Sequence, residues 1–289
     1  MGLFLLHKNQ KGILDMKNCL TIAGSDCSGG AGIQADLKTF SSLGTFGASV
    51  IVSVVAENTQ RVISVHNMDI TAVENQIDAV FSDLEISAVK LGMLPTVEII
   101  KAVAKKLEEY KPKYIVCDPV MVATSGDSLS SESTCEALKK YIFPLADIIT
   151  PNIPETQELS GIEVKDINDF DNAAEIIMKT GVKSLLIKGG HFKNEEIDDC
   201  IDILYQKNCD SISFCNERVS TQNTHGTGCT LSSAICAYLA KGETIETAVE
   251  KAKNYITTAI SYADDLNVGK GHGPVNHFWE FYKMKGILK

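Results

Sequence analysis

The stretch Asn223-Thr224-His225-Gly226-Thr227-Gly228-Cys229-Thr230-Leu231-Ser232 carries the residue types of an anion site. Leu231, Ala234, Ile235, Tyr238 and Leu239 fall on one helical face, so a helix begins beside the glycines. Gly226, Thr227 and Gly228 then cover its first unpaired N–H groups without bulk. The positive end of the helix dipole points the same way. Cys229 places a thiol at the mouth of that site. Taken alone, the same residues also describe a glycine turn that only starts a helix.

Other groups able to do chemistry follow apolar runs. Cys19 to Ala23 reads as a buried strand, and Gly24-Ser25-Asp26-Cys27-Ser28-Gly29-Gly30-Ala31-Gly32 as a loop of small residues. Ile33, Leu37, Phe40 and Leu43 continue as a helix that Gly44 ends. Neither the dinucleotide fingerprint nor the Walker pattern is present, which disfavours a NAD enzyme or a P-loop NTPase. Glu57 closes the β-branched run Val50 to Ala56; it is either an acceptor for the N–H groups of a small heterocycle or a solvated loop carboxylate. Asp118 closes the run Tyr114 to Cys117 in the same way. Asn152 and Glu155 have the spacing of a helix capping pair, and beside a phosphate they would also hold a hydrated Mg²⁺. Lys188 ends the run Ser184 to Ile187 and precedes Gly189-Gly190-His191, where it reaches a phosphate or stays a surface lysine.

These groups need a scaffold that gathers strand ends. Strands alternate with amphipathic helices, among them Val73 to Leu84 and Val97 to Leu107, the latter opened by Pro95 near its first turn. That alternation predicts an α/β fold with a mostly parallel sheet and helices on both faces. Asp199 to Tyr205 and Ser211 to Cys215 read as an antiparallel pair at one edge, and Arg61 to Met68 as a further strand or hairpin arm. Ile245 to Ala259 forms a long core helix, and Gly269-Lys270-Gly271-His272-Gly273-Pro274 a loop able to close over a nucleotide. Ligands bind at the C-terminal ends of such strands. Together the groups there supply an anion hole, a cation, metal-holding oxygens and a heterocycle acceptor, which suits phosphoryl transfer.

Composition narrows the class. The 289 residues carry a formal charge of −10, which argues against a nucleic-acid partner. No apolar run approaches the ~18 residues of a membrane span. Nine cysteines without a Cys-x-x-Cys pair fit reduced thiols in a cytoplasm. Residues 1–15 read as a disordered extension, with Met16 a second plausible start, and 16–289 as one domain with no internal linker.

Leu20-Thr21-Ile22-Ala23-Gly24-Ser25-Asp26, with Ser28-Gly29-Gly30-Ala31-Gly32-Ile33-Gln34-Ala35-Asp36, closely resembles the hydroxymethylpyrimidine/phosphomethylpyrimidine kinases of thiamine biosynthesis, members of the ribokinase-like superfamily. Lys90-Leu91-Gly92-Met93, Thr150 to Glu155, Lys188 to His191, Asn223 to Thr230 and Gly269 to Phe278 resemble the family in the same order. The resemblance implies a three-layer α/β/α sandwich and a homodimer. It also implies ATP-dependent phosphorylation of 4-amino-5-hydroxymethyl-2-methylpyrimidine, then of the monophosphate. It places Glu57 on the pyrimidine's ring nitrogen and amino group, with Gly24, Ala31, Met93 and Val120 lining that pocket. Asn152, Glu155 and Lys188 would serve ATP and Mg²⁺, with Asp118 a second metal-site carboxylate. Gly226, Thr227 and Gly228 would form the hole for the transferred phosphoryl group. Cys229 stands where sugar kinases of the superfamily carry a catalytic Asp. A helix N-terminus lowers a thiol's pKa, so Cys229 either takes the substrate's proton or only contacts it.

The chain departs from the family pattern at Cys27, where a proline is common and whose absence is expected to loosen the turn. Gln222 stands where many members have lysine, and the N-terminal extension has no counterpart. The competing readings are a pyridoxal or dual-specificity kinase and a non-catalytic pyrimidine sensor.

Overall fold

The computed structural model describes residues 15–121, 131–190 and 199–288. Most of the expected extension (1–14), the stretch Thr124 to Ser128 and His191 lie outside them. Nine strands among the described residues join one sheet: β1 (Asn18–Asp26), β2 (Phe46–Asn58), β3 (Arg61–Asn67), β4 (Ile86–Leu91), β5 (Ile115–Cys117), β6 (Ile148–Ile149), β7 (Ser184–Lys188), β8 (Asp199–Gln206) and β9 (Ile212–Glu217). Their order is β3-β2-β1-β4-β5-β6-β7-β8-β9. The six strands from β2 to β7 in this order run parallel, so Asp26, Glu57, Asp118 and Lys188 come to one edge. The expected antiparallel pair β8–β9 closes one end, and β3 adds an antiparallel strand at the other. The sheet therefore has two antiparallel ends instead of one.

Helices cover both faces. On one face α1 (Gly32–Ser42), α7 (Thr227–Ala240) and α8 (Ile245–Ser261) pack through Phe40, Leu231, Ile235, Val249 and Ile256. On the other lie α2 (Ile70–Phe81), α3 (Val97–Tyr110), α4 (Glu132–Ala137), α5 (Ile153–Ser160) and α6 (Asp169–Met178). A short α9 (Trp279–Met284) ends the fold. Core strands buried on both sides read as continuous apolar runs, which is why β4 and β5 are buried almost throughout. The layers are those of the expected α/β/α sandwich.

Local chemistry sets the boundaries. Thr96 caps α3 by accepting from Ile99 N at 3.2 Å, so Pro95 precedes the cap and does not occupy the first turn. After α4 the chain widens into a π-helical turn over Leu138–Ile142. The sequence reading passed over α6, although Phe170, Ala173, Ala174 and Ile177 show its buried stripe at helical spacing.

Candidate active site

Asp26, at the end of β1, is buried and saturated with donors. Its Oδ1 accepts from Ser28 N at 2.7 Å, and its Oδ2 from Gly30 N at 2.8 Å and Ala31 N at 2.7 Å. The Nε2 of His225 lies 2.9 Å from the same Oδ2. Burial works against its charge, but His225, Ser28 and Ala31 hold its carboxyl well below the usual carboxylate range. This network folds the first loop into a rigid cradle. Cys27, expected to loosen it, instead latches it to β2: its Sγ donates to Glu57 O at 3.1 Å.

His225 also docks the C-terminal loop, since its N donates to Gly273 O at 3.1 Å. Gly269–Gly273 closes against Thr59, just past Glu57, with His272 N on Thr59 O at 2.8 Å. Next in sequence, Gly226 has φ of 80° and caps α7 in the left-handed region. A Cβ there would overlap the carbonyl oxygen of Gly30, so the two loops touch only because both residues are glycine. No side chain caps α7; Thr227 N donates to Thr224 O at 3.3 Å, and the next first-turn N–H groups, from Gly228 on, point toward an incoming anion. The Thr227 hydroxyl turns back to Thr224 O at 2.6 Å and is committed to that turn.

Gly228 brings this helix start to two charges. A Cβ on it would lie 3.3 Å from Asp118 Oδ2 and 3.5 Å from Lys188 Nζ. Asp118 Oδ1 accepts from Lys188 Nζ and from Thr150 Oγ1, both at 2.9 Å. Burial opposes the Lys188 charge, but Asp118 and Glu155 hold its ammonium above the ordinary range. Asn152 and Glu155 form a capping box: Asn152 Oδ1 accepts from Glu155 N at 2.9 Å, and Glu155 Oε2 from Asn152 N at 2.8 Å. Burial, assisted by Asp118 and opposed by Lys188, pushes Glu155 up to about 7.

Gly24 and Met93 adjoin, because a Cβ on Gly24 would stand 2.7 Å from Met93 Cε. Ala31 lies against Gly226, and Val120 is half-buried two residues past Asp118. Glu57 presents its carboxylate to Asp26 and His225, one ligand-type atom from each of the three lying within 4.8 Å of the others. Cys229 departs from expectation. Burial dominates the helix terminus: aided by Asp36 and Asp118 and opposed by Lys90, it pushes the thiol up to about 11.

Beneath Cys229 lies a group the sequence reading did not assign. Lys90 and Asp36 form a fully buried ion pair at 2.9 Å. Asp36 also accepts from Thr21 Oγ1 at 2.6 Å and from Ser233 Oγ at 2.7 Å. Desolvation opposes the Lys90 charge, yet Asp36, Cys229 and Asp118 hold it well above its usual range. A lysine inside the apolar run Ala88 to Leu91, and an aspartate on the inner face of a helix, were the available signals.

A family model described as phosphomethylpyrimidine kinase matches residues 26–276. The hydroxymethylpyrimidine/phosphomethylpyrimidine kinase of Haemophilus influenzae is 44% identical, over 93% of this chain and 99% of that protein. A thiamine biosynthesis bifunctional protein of Geobacter sulfurreducens is 45% identical over 93% of the chain, which spans about half (54%) of that longer relative. The crystal structure of phosphomethylpyrimidine kinase from Clostridium difficile 630 is 47% identical, with a TM-score of 0.74 over 84% of this chain and 99% of that one. A pyridoxal kinase of Bacillus subtilis in complex with ADP is 37% identical, with a TM-score of 0.83 over 91% and 98%.

Proposed function

The chain belongs to the phosphomethylpyrimidine kinase family, and on that premise we propose that it is a phosphotransferase of thiamine biosynthesis. It uses ATP to phosphorylate 4-amino-5-hydroxymethyl-2-methylpyrimidine and then the monophosphate. The observation that carries this reading is the apposition of the uncapped α7 start, Gly226 to Cys229, with the Asp118–Lys188 pair. An anion-binding terminus beside a paired lysine is what in-line phosphoryl transfer requires, because charge stabilisation does most of that work.

The residue roles follow from position. Gly226, Thr227 and Gly228 hold the transferring phosphoryl group with backbone N–H. Lys188 leans toward the same group from Asp118, and Asn152 and Glu155 flank it from the start of α5. Glu57 recognises the pyrimidine across from Gly24, Ala31, Met93 and Val120. Cys229 faces the substrate hydroxyl; as a base it acts in its thiolate form, having first given its own proton to solvent, and takes the hydroxyl proton as that oxygen attacks the phosphorus.

Magnesium fits the donor set. Asp118 and Glu155 offer hard oxygens, but Lys188, Thr150 and Asn152 already occupy several of their lone pairs. Such carboxylates suit an ion that keeps its own waters. When bound, it would neutralise charge on the ATP phosphates.

The acidic chain, its nine free cysteines and the absence among the described residues of any helix long and apolar enough to cross a membrane support a cytoplasmic enzyme acting without nucleic acid. Exposed Val54, Ile63 and Val65 on the β2–β3 end support a homodimer, measurable by light scattering. Residues 16–289 act as one kinase unit behind the extension 1–15. Product analysis with ATP, Mg²⁺ and the pyrimidine alcohol tests the whole reading. Mono- and then diphosphate is expected, and preference for pyridoxal without a second phosphorylation would refute it.

A further inference from the structure

Glu57 and Asp26 are two carboxylates that converge on His225, with reactive atoms within 4.8 Å of one another. Asp26 is 1% exposed and accepts three backbone N–H bonds besides its contact with His225. Every one of those donors favours its ionised form. Two carboxylates this close do not both ionise freely, so the proton shared by the pair resides on Glu57. A metal ion is a poor occupant of this cluster, because Asp26 Oδ2 already faces Gly30 N, Ala31 N and His225 Nε2.

The proposed substrate makes that proton useful. An aminopyrimidine edge presents a ring nitrogen acceptor beside an amino donor. A carboxylate offers two acceptors and sets one of them against the ring lone pair. A carboxylic acid offers one donor and one acceptor and matches the edge at both points. We infer that Glu57 meets the pyrimidine as a neutral carboxylic acid, its O–H donating to the ring nitrogen and its carbonyl oxygen accepting from the amino group. This rests on the proposed function and deepens it. Pyridoxal has no amino group beside its ring nitrogen, so the same acid distinguishes the two alcohols.

The protonation balance agrees with the geometry. Burial and the Asp26 charge push Glu57 up to about 7, with His225 opposing. Other titratable groups on the surrounding elements are Cys27 and Lys38 beside the first loop, Arg61 on β3, and Lys270 and His272 on the C-terminal loop. Asp26 and His225 are the groups that act on Glu57.

The test is calorimetric binding of the pyrimidine alcohol to the full chain, in buffers of differing ionisation heat, at about pH 6 and about pH 8.5. At the higher pH, free Glu57 is ionised and binding takes up close to one proton. Affinity then falls about tenfold per pH unit above about 7. In Glu57→Gln the amide supplies both donor and acceptor at every pH, so proton uptake and its pH dependence disappear. Binding without proton uptake in the wild type, or uptake that persists in Glu57→Gln, overturns the inference. ATP-dependent turnover of the same alcohol is measured first. Its absence refutes the proposed function and this inference with it, whereas turnover without proton uptake refutes the inference alone.

Discussion

His225 and Asp26, 199 residues apart, meet with Nε2 2.9 Å from Oδ2. The contact locks the loop after β1 to the residue that immediately precedes the α7 anion hole. His225→Ala should therefore misplace Gly226 and lower kcat/KM by about 10–100-fold, with a smaller stability loss of about 1–3 kcal/mol. Steady-state kinetics and urea unfolding separate the two effects.

Asp26 also sets an acid limit. Its folded carboxyl titrates below the unfolded value of about 3.9, so its stabilisation is complete above that pH and is lost as pH falls through the folded value. Asp26→Asn should be less stable than wild type at neutral pH and converge on it in strong acid. A pH series of urea midpoints shows this directly, and parallel curves would contradict it.

The two glycines of the hole should separate cleanly. Gly226→Ala forces a side chain into Gly30 at a positive φ, and we expect loss of both fold stability and turnover. Gly228→Ala puts its methyl 3.3 Å from Asp118 and 3.5 Å from Lys188. It should keep its melting temperature within a few degrees while kcat falls by about 10²–10³. Thermal melts beside single-turnover assays give the comparison.

The buried pair predicts non-additivity. Lys90→Met or Asp36→Leu alone strands a charge in the core, at a cost of about 3–5 kcal/mol each. The double variant should be less destabilised than the sum of the two, because it removes both charges. A double-mutant cycle by chemical denaturation measures the coupling, and simple additivity would argue against a mutually compensating pair.

Cys229 should behave as a protonated, half-buried thiol. With its pKa pushed up to about 11, alkylation by iodoacetamide is slow at neutral pH and rises about tenfold per pH unit up to that value. Cys229→Ala should lower kcat far more than it raises KM for the pyrimidine. Fast labelling at neutral pH would show instead that the helix terminus governs the thiol.

Where sequence and structure agree, the cause is local. A loop of small residues at the end of β1, a carboxylate near the end of β2 and a lysine that ends β7 could be placed from apolar runs and their endings alone. The Asp26–His225 and Lys90–Asp36 contacts are long-range pairings, and no spacing rule joins positions 54 or 199 residues apart. Cys229 shows a different limit. Its place on the helix was legible, but the desolvation that outweighs the dipole, and the charges of Lys90, Asp36 and Asp118 that act on it, come from the tertiary fold. The capping box at Asn152 and Glu155 was legible because both partners lie within one turn.

Helix α7 packs over β1, β4 and β5, and its Ser233 completes the donors around Asp36. It is also among the last elements to leave the ribosome. At ~5–20 residues per second, about 10–40 s separate the synthesis of Asp26 from that of His225. During that interval Asp36 already has Lys90 but not Ser233, and Asp26 waits for His225. A kinase assembled this way has no active site until its final third appears, so a truncated or stalled chain does not hydrolyse ATP in the cell.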